Sequence, residues 1–151
     1  MTQGFKSSIL CPMNSQGLFT LSTSFTFEAA HRLVHGYSGK CRNLHGHSFR
    51  ITCSIEGSDL DQYGMVKDFA EFKVLKAWCK DHWDHATLLS ESDTATIEFL
   101  TSTEQKFFCF KENPTSEVIA RYLLKKSEEL GFPLTSVTID ETCTHSCTIR
   151  R

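Results

Sequence analysis

The stretch Phe19-Thr-Leu-Ser-Thr-Ser-Phe-Thr-Phe-Glu-Ala-Ala-His31 decides how this chain folds. Phe19, Leu21, Phe25, Phe27 and Ala29 occupy odd positions, with Thr20, Ser22, Ser24, Thr26 and Glu28 between them. A period of two is that of a strand with one buried and one wet face. A second such run follows, Phe49, Ile51, Cys53 and Ile55 against Ser48, Arg50, Thr52, Ser54 and Glu56. Gly36 and Gly39 mark a loop between the two strands.

Further along, Asp68 opens a helix with Glu71 as its capping-box partner. Phe72, Leu75 and Cys79 form its apolar face, and it ends near His82 to Asp84. Residues 86–112 fit no single period; Gln105–Phe110 reads as a strand and Glu91–Thr96 as loop. Asn113-Pro114 opens a second helix, Asn as cap and Pro at the first helical position. Val118, Ile119, Tyr122, Leu123 and Leu130 supply its stripe, and Gly131 with Pro133 stops it. Leu134–Asp140 and Cys143–Ile149 read as two last strands or one bent strand. The order, β-β-α-α-β with one extra strand, predicts an α+β domain whose two helices cover one face of an antiparallel sheet.

The chain has 151 residues, 40% of them hydrophobic. That is enough for one domain to bury roughly 70% of its unfolded surface without crosslinks. Residues 1–17, mixed and polar, read as an N-terminal extension, and residues 18–151 as the domain. Sixteen basic residues against eighteen acidic leave no basic footprint, which argues against nucleic acid or an anionic membrane as partner. No apolar run reaches the ~20 residues of a membrane span. Seven cysteines, an odd number with no secretory signal, predict free thiols and a cytoplasmic protein.

Parity also locates a site. His31 continues the Phe25, Phe27, Ala29 face, while His45 and His47 lead into the Phe49, Ile51, Cys53 face. If the two strands pair, all three imidazoles emerge on one buried side at the same end of the sheet. Three neutral imidazoles suit Zn²⁺, and three ligands with one open position is the catalytic arrangement. Cys41 stands beside them, as a fourth ligand closing a structural site or as a small buried hydrophobe. Glu141 shares parity with Val137 and Ile139, so its carboxylate points inward or sits at a frayed strand end in water. With no basic residue on that face, an inward carboxylate implies a ligand with a guanidine-like N–H edge. Asp84-His85 follows the first helix, either presented to a cleft or merely a solvated helix end.

Phe27-Glu-Ala-Ala-His31, Cys41-Arg-Asn-Leu-His45-Gly-His47, Asp84-His85, Asn113-Pro-Thr-Ser-Glu117 and Asp140-Glu141-Thr142 together resemble, in order, the motifs of the 6-pyruvoyl-tetrahydropterin synthase family. The resemblance spans about residues 19–151. The Cys-x₃-His-x-His spacing and the Glu-Thr-Cys-Thr-x-x-Cys ending are similar to the bacterial 6-carboxy-5,6,7,8-tetrahydropterin synthase branch, of queuosine biosynthesis. The chain differs at Trp83, where Leu is common, and at His145 and Ser146, where small residues are usual.

The resemblance implies the tunnelling fold, with subunits closing a barrel as a trimer or a dimer of trimers and active sites between subunits. It implies Zn²⁺ on His31, His45 and His47, Cys41 as proton-abstracting base assisted by Asp84 and His85, and Glu141 anchoring the pterin, with Thr115 and Ser116 at the pterin pocket. The implied substrate is a small-molecule pterin triphosphate, 7,8-dihydroneopterin triphosphate. A triphosphate needs cations at the cleft mouth, for which Lys40, Arg42, Arg32 and Lys67 are candidates, the alternative for each being an ordinary surface charge. A pyruvoyl-forming or sepiapterin-cleaving activity is the nearer alternative; a non-catalytic zinc module is the more distant one.

Overall fold

The computed structural model describes residues 17–151; the expected N-terminal extension before them lies outside the described residues. In chain order the elements are β1 (Phe19–His31), β2 (His45–Gly57), α1 (Lys73–His82), β3 (Ala86–Ser90), α2 (Thr94–Ser102), β4 (Phe107–Phe110), α3 (Ser116–Glu129), β5 (Ser136–Asp140) and β6 (Ser146–Arg150). The strands make one six-stranded sheet in the order β4-β3-β1-β2-β5-β6.

β1 and β2 pair antiparallel along their whole length, from Phe19 opposite Gly57 to His31 opposite His45. Phe25, Phe27, Ala29, Phe49, Ile51, Cys53 and Ile55 are all buried, as their alternation predicts. Phe27 and Phe49 lie opposite each other and stack with ring centroids 5.1 Å apart. Burying such side chains is worth about 1.5–3 kcal/mol each and fixes the register, because a one-residue slip would turn every one of them to water.

The fold is α+β, as expected, but its sheet is mixed and carries three helices among the described residues. β3 runs parallel to β1 on one side and to β4 on the other. A strand paired on both edges and buried on both faces shows no alternation. Four of the five residues of Ala86-Thr-Leu-Leu-Ser90 are indeed buried. α2 was equally silent: Leu100 is its one buried side chain and Phe99 is exposed, so no stripe marks it.

Asp68 does cap the start of the first helical segment, its Oδ1 accepting from the Ala70 N–H at 2.8 Å. A short 3₁₀ turn over Phe69–Phe72 then leads into α1. Glu71 does not complete a capping box; its carboxylate pairs with Lys67 at 2.9 Å. Phe72, Leu75 and Cys79 are buried, and Trp83 beyond them is fully enclosed, 5.7 Å from the Phe27 ring. The departure at Trp83 is thus a matter of core packing.

The cap of α3 is Thr115 rather than Asn113, with Thr115 Oγ1 accepting from the Val118 N–H at 3.4 Å. Pro114 therefore precedes the helix, and Asn113 is free for another task. The buried face of α3 centres on Ile119 and Leu123 with Ala120, Leu124 and Ser127, while Val118, Tyr122 and Leu130 flank it half-buried. Gly131 ends it at φ +72°, its N–H donating to Glu128 O and the Phe132 N–H to Ser127 O. That pair of bonds is the left-handed glycine stop that only a residue lacking Cβ adopts at no cost. β5 and β6 are two separate antiparallel strands.

Candidate active site

Because His31 lies opposite His45, and Ala29 opposite His47, the β1–β2 register delivers three imidazoles to one end of the sheet. A fourth side chain joins them. Glu141 follows β5, and the ligand atoms of His31, His45, His47 and Glu141 all lie within 4.8 Å of one another. The pairing of β2 with β5 sets Asp140 opposite Arg50, so one further step brings Glu141 level with Phe49, two residues from His47.

The hydrogen bonds fix which nitrogens face the cluster. His31 Nδ1 donates to the Pro114 carbonyl at 2.9 Å, and His45 Nδ1 to the Asn43 carbonyl at 2.7 Å. A carbonyl only accepts, so each Nδ1 carries the proton and each Nε2 presents a lone pair inward. Those two Nε2 atoms are 3.1 Å apart. His47 Nε2 is buried without a hydrogen-bond partner, 3.2 Å from Glu141 Oε1 but outside bonding geometry. Burial is the main cause that lowers the pKa of His31 and of His47, favouring the neutral form that binds metals. Two facing lone pairs, an orphaned imidazole nitrogen and a carboxylate form a donor set that fits a divalent cation.

Glu141 is held from behind. Ser116 Oγ, in the first turn of α3, donates to Glu141 Oε2 at 2.8 Å, which leaves Oε1 turned toward the imidazoles. Thr115 spends its hydroxyl on the helix cap. His31, Tyr37, Cys41, Thr115, Ser116 and Glu141 line one cavity of about 370 Å³, to which His145 also contributes. Cys41 shares that cavity but stands outside the four-residue cluster, where Glu141 holds the fourth position.

Asp84 and His85 are placed elsewhere. Asp84 Oδ1 accepts from the Glu28 N–H at 3.0 Å, and Asp84 Oδ2 lies 3.1 Å from His85 Nδ1. The Glu28 bond above all, with His85 adding to it, holds the Asp84 carboxyl below the usual carboxylate range. His85 takes a left-handed backbone, φ +57°, and its side chain is 78% exposed. It borders a separate cavity of about 450 Å³ together with His47, Ser48 and Lys106. Within the chain, then, His85 and Cys41 border different cavities.

Of the cations near the loop, Arg32 is paired to buried Asp93 at 3.3 Å and Lys67 to Glu71, while Lys40 and Arg42 lie on the 3₁₀ turn beside Cys41. Sequence reasoning missed Tyr37 and the loop role of Asn113. The Asn113 amide clasps Val34 on both backbone atoms, accepting from its N–H at 2.9 Å and donating to its carbonyl at 3.1 Å.

Residues 20–151 match the family model for 6-pyruvoyl tetrahydropterin synthase. The chain belongs to that family. It is 39% identical over 133 residues to a 6-carboxy-5,6,7,8-tetrahydropterin synthase of Synechocystis, covering 84% of this chain and 89% of the relative. The enzyme of that name from Haemophilus influenzae is 36% identical over 143 residues, covering 86% and 97%. Among solved structures, the 6-pyruvoyl tetrahydropterin synthase of Caenorhabditis elegans is similar with a TM-score of 0.65 at 28% identity, over 89% of this chain and 96% of that one. An uncharacterized Wolinella succinogenes protein shares the fold with a TM-score of 0.73 at 23% identity, over 88% and 98%.

Proposed function

We propose that this family member is a zinc-dependent 6-carboxy-5,6,7,8-tetrahydropterin synthase. It converts 7,8-dihydroneopterin triphosphate to 6-carboxytetrahydropterin, releasing acetaldehyde and triphosphate. The observation that carries the reading is the cavity in which Cys41 faces the His31–Glu141 cluster. The identity with relatives of that name over most of both chains supports it.

His31, His45 and His47 would hold the zinc, which when bound supplies Lewis-acid stabilisation of negative charge developing on the substrate side chain. Cys41 abstracts the proton from the carbon adjacent to the ring. Glu141, steadied by Ser116, accepts N–H groups from the pyrimidine edge, since a carboxylate matches two parallel donors. Thr115 and Ser116 set the pocket wall at the start of α3. One water is consumed as triphosphate leaves and the side chain is cleaved, and no external oxidant is needed: the ring gains the reducing equivalents that the side chain gives up.

Asp84 and His85 are assigned to the proton relay with Cys41, and the neighbouring subunit supplies them. The separation of the two cavities within one protomer supports this, as do the sheet's two outer strands, β4 and β6. A trimer, or a dimer of trimers, joins these edges and removes them from solvent. The six described cysteines are all free, which suits a cytoplasmic enzyme. No described helix is long and apolar enough to cross a membrane.

The experiment is turnover before chelation, after chelation and after zinc is restored, with the pterin read by mass. Activity that follows zinc, with the carboxy product, supports the reading. Full activity in chelator removes the metal from it. A pyruvoyl product assigns the chain to the other branch of the family.

A further inference from the structure

We infer that Asn113 is a positioning residue of this active site, whose side-chain amide holds the loop carrying Cys41 against the His31–Glu141 cluster. The inference rests on the reading of Cys41 as the base. Asn113 stands between β4 and α3, half-buried, and both ends of its amide are spent on one residue of that loop. Its Oδ1 accepts from the Val34 N–H at 2.9 Å, and its Nδ2 donates to the Val34 carbonyl at 3.1 Å. Val34 lies in no strand, and the amide gives it the pair of bonds that a neighbouring strand would give.

The step from Val34 to Cys41 is short. Leu33, the residue before Val34, donates its N–H to the Cys41 carbonyl at 2.9 Å and closes the base of the loop. Leu33 and Cys41 both line the cavity of His31 and Glu141. The 3₁₀ turn that carries Cys41 is tied at its far end too, since the Asn43 carbonyl accepts from His45 Nδ1.

The backbone around Asn113 is fixed by the same site. The Pro114 carbonyl accepts from His31 Nδ1, the Thr115 N–H donates to the Asn113 carbonyl at 2.8 Å, and Ser116 Oγ reaches Glu141. The proline ring sets its own φ and keeps the residue before it out of helical backbone. Asn113, Pro114 and Ser116 therefore hold the Cys41 loop, an imidazole of the cluster and the Glu141 carboxylate from one short segment. A displacement of about 1 Å between a base and its substrate is enough to cost a rate about 10²-fold. Slack in this clasp falls on the chemical step rather than on binding.

Two variants of the full chain test this. Asn113→Asp keeps the shape and the acceptor but loses the N–H donor, and Asn113→Ala loses both bonds. The readout that needs no pterin is amide hydrogen exchange at Leu33, whose N–H is bound to Cys41 and not to Asn113. In Asn113→Ala that amide is expected to exchange about tenfold faster, the worth of the lost pair of bonds. There kcat falls about tenfold or more, while KM and zinc content stay at the wild-type values. Asn113→Asp changes in the same directions and decides the matter should Asn113→Ala not give a cooperative melt. Faster exchange at Val34 with Leu33 unaltered confines the clasp to Val34 and overturns the inference. So does a kcat that is unchanged, or that falls only in proportion to zinc. If the wild-type chain makes no carboxypterin while both variants still speed exchange at Leu33, the tie between Asn113 and the Cys41 loop stands and the proposed activity is what falls.

Discussion

His31 and His45 point their Nε2 atoms at each other across 3.1 Å, each with its Nδ1 already committed to a carbonyl oxygen. Two unprotonated imidazole nitrogens at that separation repel, and a shared cation turns the repulsion into coordination. The His45→Ala variant is expected to lose zinc affinity by at least about 100-fold while keeping its fold, since His45 is only half-buried. Zinc stoichiometry after dialysis measures this. Stoichiometric zinc in the variant would exclude His45 as a ligand.

Glu141 offers one oxygen to Ser116 and turns the other toward His47. If its task is to hold the pterin edge, Glu141→Gln keeps zinc and raises KM by about tenfold or more, because an amide presents one acceptor where two are needed. Zinc analysis beside Michaelis kinetics separates this from metal ligation, in which case zinc itself is lost.

Cys41 and His85 border different cavities of the chain. Cys41→Ala is expected to retain zinc and lose turnover by about 10²–10⁴-fold, the usual worth of a positioned acid or base. His85→Ala is expected to lose turnover comparably. Unfolded together and refolded as mixed oligomers, the two variants should recover activity, because some interfaces then join an intact Cys41 to an intact His85. Absence of recovery, with mixed oligomers demonstrated, would place both residues in one subunit's site.

Cys53 and Cys79 are fully buried, and burial pushes the Cys53 thiol from 9.0 up to about 12 and Cys79 higher still. In the unfolded chain both ionise near the ordinary value, while in the folded chain they stay protonated. The unfolded state therefore sheds protons first, and stability falls as pH rises past about 9, by about 1.4 kcal/mol per pH unit for each thiol. Urea midpoints measured from pH 8 to pH 10.5 should decline, and the double variant Cys53→Ala, Cys79→Ala should flatten that decline.

The sequence was legible where one face of an element is wet. Phe25 and Phe27 alternate with Ser24 and Thr26 because β1 has a buried and an exposed side, and that alternation carried both the register and the convergence of His31, His45 and His47. It was illegible where an element is enclosed on every side, as at Leu88 and Leu89 of β3, or barely enclosed at all, as in α2. Asn113 read as a helix cap because local chemistry favours it there, yet a loop 79 residues away in sequence claimed its amide through Val34. Glu141 showed its inward parity but not its neighbours, which depend on the β2–β5 pairing. Tyr37 gave no periodic signal, since its place is set by two left-handed residues and a glycine.

The most direct measurement incubates the zinc-loaded chain with 7,8-dihydroneopterin triphosphate and follows pterin mass and acetaldehyde together. The account expects 6-carboxytetrahydropterin and acetaldehyde in equal amounts, both abolished by Cys41→Ala. A pterin that keeps its three-carbon side chain, with no acetaldehyde, would contradict it.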